Sequence, residues 1–155
     1  MTVTHESFEI ERRINGCLDH VWAAWTDPAL KRRWFAADAM TTDDYRMDCR
    51  EGGTEYGRFT MADGPGKGVH ENATTYLVVR EKELLVTAYT MAWDGRIHSA
   101  SLATIRFSND GDATRLAIRE DGAWFEDSDG PAGRRHGTGV LLDALETALT
   151  QGHLQ

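Results

Sequence analysis

Hydrophobic and polar residues alternate along residues 5–14. Phe8, Ile10 and Ile14 share one side of this stretch, and most residues between them are polar or charged. A period of two is typical of a β-strand with one buried face. Six later stretches are also rich in strand-forming residues, and most are separated by turns containing glycine: 45–50, 54–61, 69–80, 84–93, 97–107 and 114–120. The pattern predicts a meander of antiparallel strands.

The period changes after the first predicted strand, where residues 21–35 read VWAAWTDPALKRRWF. The spacing predicts a short helix with Asp19 as its N-cap, a break at residues 26–28, and a second short helix that Pro28 opens. Leu30, Trp34 and Phe35 give the second helix an apolar side. Trp22 and Trp25 lie at helical spacing and are predicted to belong to the core.

A long amphipathic helix is predicted from residue 133 to near residue 152. Its apolar stripe consists of Val140, Leu141, Ala144, Leu145, Ala148 and Leu149. The element order predicts an α+β helix-grip fold, in which a curved antiparallel sheet of about six or seven strands surrounds the C-terminal helix. Two short helices follow the first strand. Such a sheet rarely closes completely on its helix, so we expect a cavity between the two.

Composition narrows the classes of function. The 155 residues suit one domain, residues 1–155, and they are enough to form a core without a metal or a disulfide. The net charge of −8 argues against a nucleic acid or an anionic membrane surface as partner. The sequence has no secretion signal and no apolar run long enough to enter a membrane, which favours a cytoplasmic protein.

No motif for metal, cofactor or nucleophilic chemistry stands out. Cys17 and Cys49 are far apart, and the six histidines show no metal-binding spacing. We therefore predict no metal and no cofactor. The glycines at 64, 66 and 68 lie in a predicted turn and do not open a helix, so they do not predict a nucleotide site.

Several segments together resemble the SRPBCC superfamily, which includes START-like and birch-pollen-allergen-like proteins. These segments are VWAAWTDPALKRRWF, DCREGG, RIHSASLATIRF, TRLAIREDGAWF and RRHGTGVLLDALETAL. Within the superfamily, the chain resembles the branch of activator-of-heat-shock-protein-ATPase homologues, alongside polyketide cyclase and calicheamicin-resistance-like proteins. The resemblance covers roughly residues 6–150 and implies a deep pocket between the sheet and the last helix. The superfamily hosts several functions, so the resemblance does not select one.

Alternation within the strands suggests which residues line that pocket. Ser99, Ser101, Ala103, Ile105 and Phe107 fall on one face and are predicted to point inward. Trp124 and Phe125 are placed in the loop before the last helix. The predicted ligand-binding residues are Trp34, Tyr89, Met91, Trp93, Ser101, Ala103, Trp124, Phe125 and His136.

Two residues are candidates for proton transfer. Glu120 ends an otherwise apolar inward set and would have a raised pKa if it were buried, but a position at a strand end favours exposure. His136 follows Arg134 and Arg135 at the start of the last helix and could face the cavity mouth, although all three could equally be solvated. No catalytic residue is assigned on this basis.

The sequence favours binding over catalysis. The predicted function is to hold a small, largely apolar or aromatic molecule in the cavity. One alternative is a cyclase-like or aromatase-like enzyme acting on a polyketide-like substrate. Another is a module that interacts with a chaperone in a stress response, and a homodimer is also possible.

Overall fold

The computed structural model describes residues 1–36 and 39–152. Within these residues the chain forms seven strands and three helices. They are β1 (Val3–Ile14), α1 (Leu18–Thr26), α2 (Pro28–Lys31), β2 (Met40–Met47), β3 (Thr54–Met61), β4 (Gly68–Arg80), β5 (Leu84–Trp93), β6 (Arg96–Asp110), β7 (Ala113–Phe125) and α3 (Gly130–Thr150). The strands form one antiparallel sheet in the order β1-β7-β6-β5-β4-β3-β2. The prediction of an α+β helix-grip fold is confirmed.

The two short helices form where the sequence predicts them, but their ends differ. Cys17, not Asp19, occupies the N-cap position of α1; Asp19 lies in the first turn, where it pairs with Lys82 at 2.9 Å. The side chain of Asp27 caps α2 by accepting a hydrogen bond from the backbone of Ala29, at 2.9 Å. Helix α2 ends at Lys31, so Trp34 lies beyond it and not on its face.

Strand β7 is longer than predicted, and this places Trp124 and Phe125 in the sheet and not in a loop. Gly122 lies beyond the predicted end of this strand at residue 120, yet it pairs with Ser101 on β6. A Cβ atom at Gly122 would lie 2.6 Å from the Trp124 ring. The glycine therefore leaves space for the indole, whose Nε1 donates to the Glu6 carbonyl at 3.0 Å.

Helix α3 packs across the sheet and contacts β1 and β7. The predicted stripe is partly wrong, because Leu142 is buried while Val140 is exposed. Leu145, Ala148 and Leu149 are buried as expected. None of the helices in the described part of the chain is both long and apolar enough to cross a membrane.

The core joins α1 to the sheet through aromatic rings. The rings of Trp22 and Trp25 both meet Phe107 edge-to-face, at centroid distances of 5.0 and 6.0 Å. Both indoles are almost fully buried. The prediction that they belong to the core is confirmed, although Trp25 also forms part of the cavity wall described next.

Candidate functional site

A cavity of about 420 Å³ lies between the sheet and α3. Strands β3 to β7 supply its floor, and α3 with the segment after α2 supplies the other walls. Its middle is apolar. The apolar residues there include Trp25, Trp34, Leu85, Ala103, Ile105, Ile118 and Leu142.

Charged side chains on the cavity wall belong to two separate clusters. We call the first the Glu55 cluster; it consists of Lys31, Tyr45, Glu55 and Tyr76. Lys31 Nζ lies 2.8 Å from Glu55 Oε1, to which Tyr76 OH also donates, and Tyr45 OH donates to Glu55 Oε2 at 2.7 Å. Lys31 Nζ is 4.3 Å from the Phe35 ring centroid. Every polar atom of this carboxylate is thus paired inside the protein.

Burial alone would raise the pKa of Glu55, which is only 2% exposed. The ammonium of Lys31 and the hydrogen bonds from Tyr76 and Tyr45 outweigh this effect, so the pKa of Glu55 lies below its ordinary value. Burial beside this carboxylate raises the pKa of both tyrosines. The Glu55 cluster therefore stays an ion pair with two neutral tyrosines at neutral pH.

The second group, here the Glu120 cluster, joins α3 to three strands of the sheet. Its members are Tyr89, Ser99, Ser101, Glu120, Asp129 and Arg134. Tyr89 OH donates to Glu120 Oε1 at 2.7 Å, and Ser101 Oγ donates to Glu120 Oε2 at 2.7 Å. Glu120 is therefore held by strands β5 and β6 while it projects from β7.

Arg134 is the centre of this second cluster. Its Nη1 donates to Tyr89 OH at 2.8 Å and to Glu120 Oε2 at 3.3 Å. Its Nη2 donates to Ser99 Oγ at 2.8 Å and to Asp129 Oδ1 at 2.9 Å, and its Nε donates to Asp129 Oδ2 at 2.9 Å. A guanidinium carries five N–H groups, so all of them are occupied.

Glu120 is buried, with only 3% of its surface exposed, which corrects the expectation that it is solvated. The reason is that β7 continues past it, so Glu120 is not at a strand end. Burial raises its pKa above the ordinary value, and Arg134, Tyr89 and Ser101 offset only part of that rise. Burial also raises the pKa of Tyr89.

Five of the residues predicted to bind the ligand or transfer a proton lie on the cavity wall. They are Trp34, Tyr89, Met91, Ala103 and Glu120. Ser101 and Trp124 do not line the cavity but support it from behind. Ser101 binds Glu120, and the Trp124 ring lies 5.0 Å from the Arg134 guanidinium.

The structure does not bring Trp93, Phe125 or His136 to the cavity. Trp93 pairs with His70 on β4 and so lies on the same face of β5 as Met91, as the alternation predicted, but it is at the end of the strand, beyond the cavity. Trp93 is 39% exposed and stacks on His70, which does line the cavity, at a centroid distance of 5.6 Å. His136 is exposed on α3.

Sequence reasoning missed Lys31, Glu55, Tyr76 and Asn72, and it left open whether Arg134 faces the cavity or solvent; the structure buries Arg134 against the cavity. A signal was present for Glu55, since it alternates with Gly57 and Phe59 along one face of β3. A carboxylate on the inward face of a strand predicts a buried partner. The identity of that partner, Lys31, depends on how α2 packs against the sheet.

A family model described as "Activator of Hsp90 ATPase homolog 1-like protein" matches residues 17–150. The chain belongs to this family. The resemblance to the SRPBCC superfamily is thereby confirmed. A search of functionally curated proteins returned no match.

Solved structures of relatives agree with the family. An uncharacterized protein from Rhizobium leguminosarum is 30% identical, with 97% of each chain covered and a TM-score of 0.87. Protein Mll3558 from Rhizobium loti is 34% identical, with 95% of this chain and 99% of that one covered and a TM-score of 0.82. CalU16 from Micromonospora echinospora is 22% identical over 94% of this chain and 82% of its own, with a TM-score of 0.62, so the similarity supports the fold alone.

Proposed function

We propose that this protein binds a small, largely apolar molecule in the cavity between the sheet and α3. The observation that carries the proposal is an apolar cavity of about 420 Å³ whose charged groups are paired with each other. Pockets for small ligands fall in the range of about 300–1,000 Å³. Removal of an apolar molecule from water would supply the main driving force.

The charged side chains on the cavity wall are paired with each other, which makes the cavity suitable for an apolar ligand. Glu55 and Arg134 each use their hydrogen-bonding groups on protein partners, so an apolar body can lie between the two clusters without disrupting an ion pair. The family and its neighbours are compatible with this role, but they do not identify the ligand.

The test is a titration with N-phenyl-1-naphthylamine, an uncharged dye that fluoresces in apolar surroundings. Ala103 is buried on the cavity face of β6, and Ala100 lies on the same strand at a position that does not line the cavity. Ala103→Leu places extra atoms in the cavity and should weaken dye binding by about tenfold or more, because overpacking opposes the ligand. Ala100→Leu is the matched control and should bind like the wild type. Equal binding by both variants, or no binding by the wild type, would contradict the proposal.

Proton-transfer chemistry on a polyketide-like substrate is a second candidate function. The observation that favours it is a buried carboxyl with a raised pKa on the cavity wall, hydrogen-bonded to a tyrosine. In this hypothesis Glu120 exchanges a proton with the bound substrate and Tyr89 orients the carboxyl. Glu120→Gln should abolish turnover while the dye still binds. His136→Ala should leave turnover unchanged, because His136 lies outside the cavity.

A further inference from the structure

One side-chain amide, that of Asn72, lies on the floor of the cavity. Asn72 lies on β4, lines the cavity and is only 6% exposed. Within residues 1–36 and 39–152 its side-chain amide has no protein hydrogen-bond partner, and its two polar atoms keep some exposure toward the cavity. Water in the cavity can hydrate this amide, and an apolar ligand that displaced the water would leave the amide unpaired at a cost in free energy. An unpaired amide that faces a cavity indicates where a ligand would form hydrogen bonds.

The sheet makes room for this amide. Gly57 on β3 pairs directly with Asn72, and a Cβ atom at Gly57 would lie 2.6 Å from Asn72 Oδ1. The same Cβ would lie 2.7 Å from the Phe59 ring. Any larger residue at position 57 would displace Asn72 or Phe59. Glycine therefore keeps the amide beside an aromatic wall of the cavity.

The cations on the wall are not free to bind an anion. All five N–H groups of Arg134 are donated to protein oxygens. The charge of Lys31 is matched by Glu55 at 2.8 Å. Carboxylates also outnumber cations on the wall, because Glu120 and Asp129 share Arg134. An anionic ligand would thus lose its hydration without gaining a counter-charge.

We infer that the ligand has an apolar body and an uncharged polar group, such as a carboxamide, ketone or hydroxyl, that hydrogen-bonds to the Asn72 side chain. The cavity discriminates against a carboxylate of the same shape. This inference rests on the proposed function and specifies the chemical class of the ligand. Asn72 acts as both donor and acceptor, so it can satisfy either kind of polar group.

The experiment uses three naphthalenes that differ in one substituent. Each competes with N-phenyl-1-naphthylamine for the wild-type protein at pH 7: 2-naphthamide, 2-naphthoate and 2-methylnaphthalene. The amide and the carboxylate have nearly the same shape, so their comparison isolates charge. We expect 2-naphthamide to bind about tenfold more tightly than 2-naphthoate, because only the carboxylate loses the hydration of a charge without gaining a counter-charge.

A variant then assigns the preference to one side chain. Asn72→Leu keeps the approximate volume of the side chain and removes its polar atoms. The variant should bind 2-naphthamide about tenfold more weakly than the wild type does, and it should bind 2-methylnaphthalene at least as tightly. Asn109→Leu, at an exposed position near the end of β6, is the matched control. It should leave the affinities for 2-naphthamide and 2-methylnaphthalene unchanged.

The outcomes separate this inference from the proposed function. If 2-methylnaphthalene displaces the dye but 2-naphthoate binds as tightly as 2-naphthamide, the inference is wrong and the cavity still binds apolar molecules. The same conclusion follows if Asn72→Leu binds 2-naphthamide as tightly as the wild type does. If the wild-type protein binds neither the dye nor any naphthalene, both proposals fail together.

Discussion

The Glu55 cluster and the Glu120 cluster each bury a carboxylate beside a cation, yet their pKa values shift in opposite directions. Glu55 pairs with a lysine that it does not share, and two tyrosines donate to it, so its pKa is lowered. Glu120 shares Arg134 with Asp129, and its pKa is raised. Burial is the first cause in both cases. Lys31 offsets it at Glu55 with both its charge and a hydrogen bond of 2.8 Å, whereas Arg134 lies 3.3 Å from Glu120 and offsets only part of the rise, to which Asp129 adds a smaller contribution.

The surroundings of the two clusters differ as well. The Glu55 cluster is enclosed, and the Lys31 ammonium lies against the Phe35 ring. The side chain of Asp129 in the Glu120 cluster is 37% exposed. We interpret the first cluster as a fixed structural pair that ties α2 to the sheet. The second cluster can change its protonation when a ligand or the pH changes.

The largest expected effect comes from breaking the enclosed pair. Glu55→Gln leaves the Lys31 ammonium buried without a counter-charge and should lower the free energy of unfolding by about 3–5 kcal/mol, measured by urea denaturation. The control is Asp143→Asn, which breaks the exposed pair with Arg12 and should cost less than about 1 kcal/mol. Similar losses in the two variants would refute the structural role of the Glu55 cluster.

Removing one hydroxyl from each cluster sharpens the comparison. Tyr76 is fully buried, so Tyr76→Phe takes a donor from Glu55 that water cannot replace, and it should cost about 1–2 kcal/mol. Tyr89 is half-buried on the cavity wall, where water can take over its bonds, so Tyr89→Phe should cost less than about 1 kcal/mol. Thermal or urea unfolding of the two variants measures both values. A larger loss of unfolding free energy for Tyr89→Phe than for Tyr76→Phe would contradict our interpretation of the Glu55 cluster as the structural pair.

The smallest effect is a pH dependence with a defined sign. The folded-state pKa of Glu120 is above its ordinary value of 4.5, so its contribution to stability is fully present below that value. The contribution is lost as the pH rises through the raised folded-state pKa. Wild type should therefore lose stability relative to Glu120→Gln as the pH rises above 4.5 toward neutrality. Urea unfolding across this range tests the prediction. An increase in the stability of wild type relative to Glu120→Gln as the pH rises would contradict it.

Periodicity predicted the parts of the fold that depend on one strand or helix at a time. The inward set on β6, which includes Ser101 and Ala103, is buried as predicted because the strand is regular there. Trp93 lies on the predicted face of β5 but beyond the cavity, because alternation predicts the face of a residue and not how far along the strand the cavity extends. Trp124 was placed in a loop because the predicted strand ended at residue 120, although β7 continues to Phe125.

The charged parts of the candidate site could not be predicted in the same way. Lys31 meets Glu55 across 24 positions of sequence, and Tyr89 meets Arg134 across 45. Such pairs form only when separate elements pack together, and no local pattern encodes their distance. The unpaired amide of Asn72 is likewise visible only when all of its neighbours are known.

The most direct test of ligand binding in the cavity is an NMR titration of methyl-labelled protein with N-phenyl-1-naphthylamine. We predict that the methyl signals of Ala103, Ile105 and Ile118, which line the cavity, shift on addition of the dye. The methyl signals of Leu77 and Leu102, which are exposed, should stay in place. Shifts confined to these exposed leucines would show that the dye binds outside the cavity and would contradict the account.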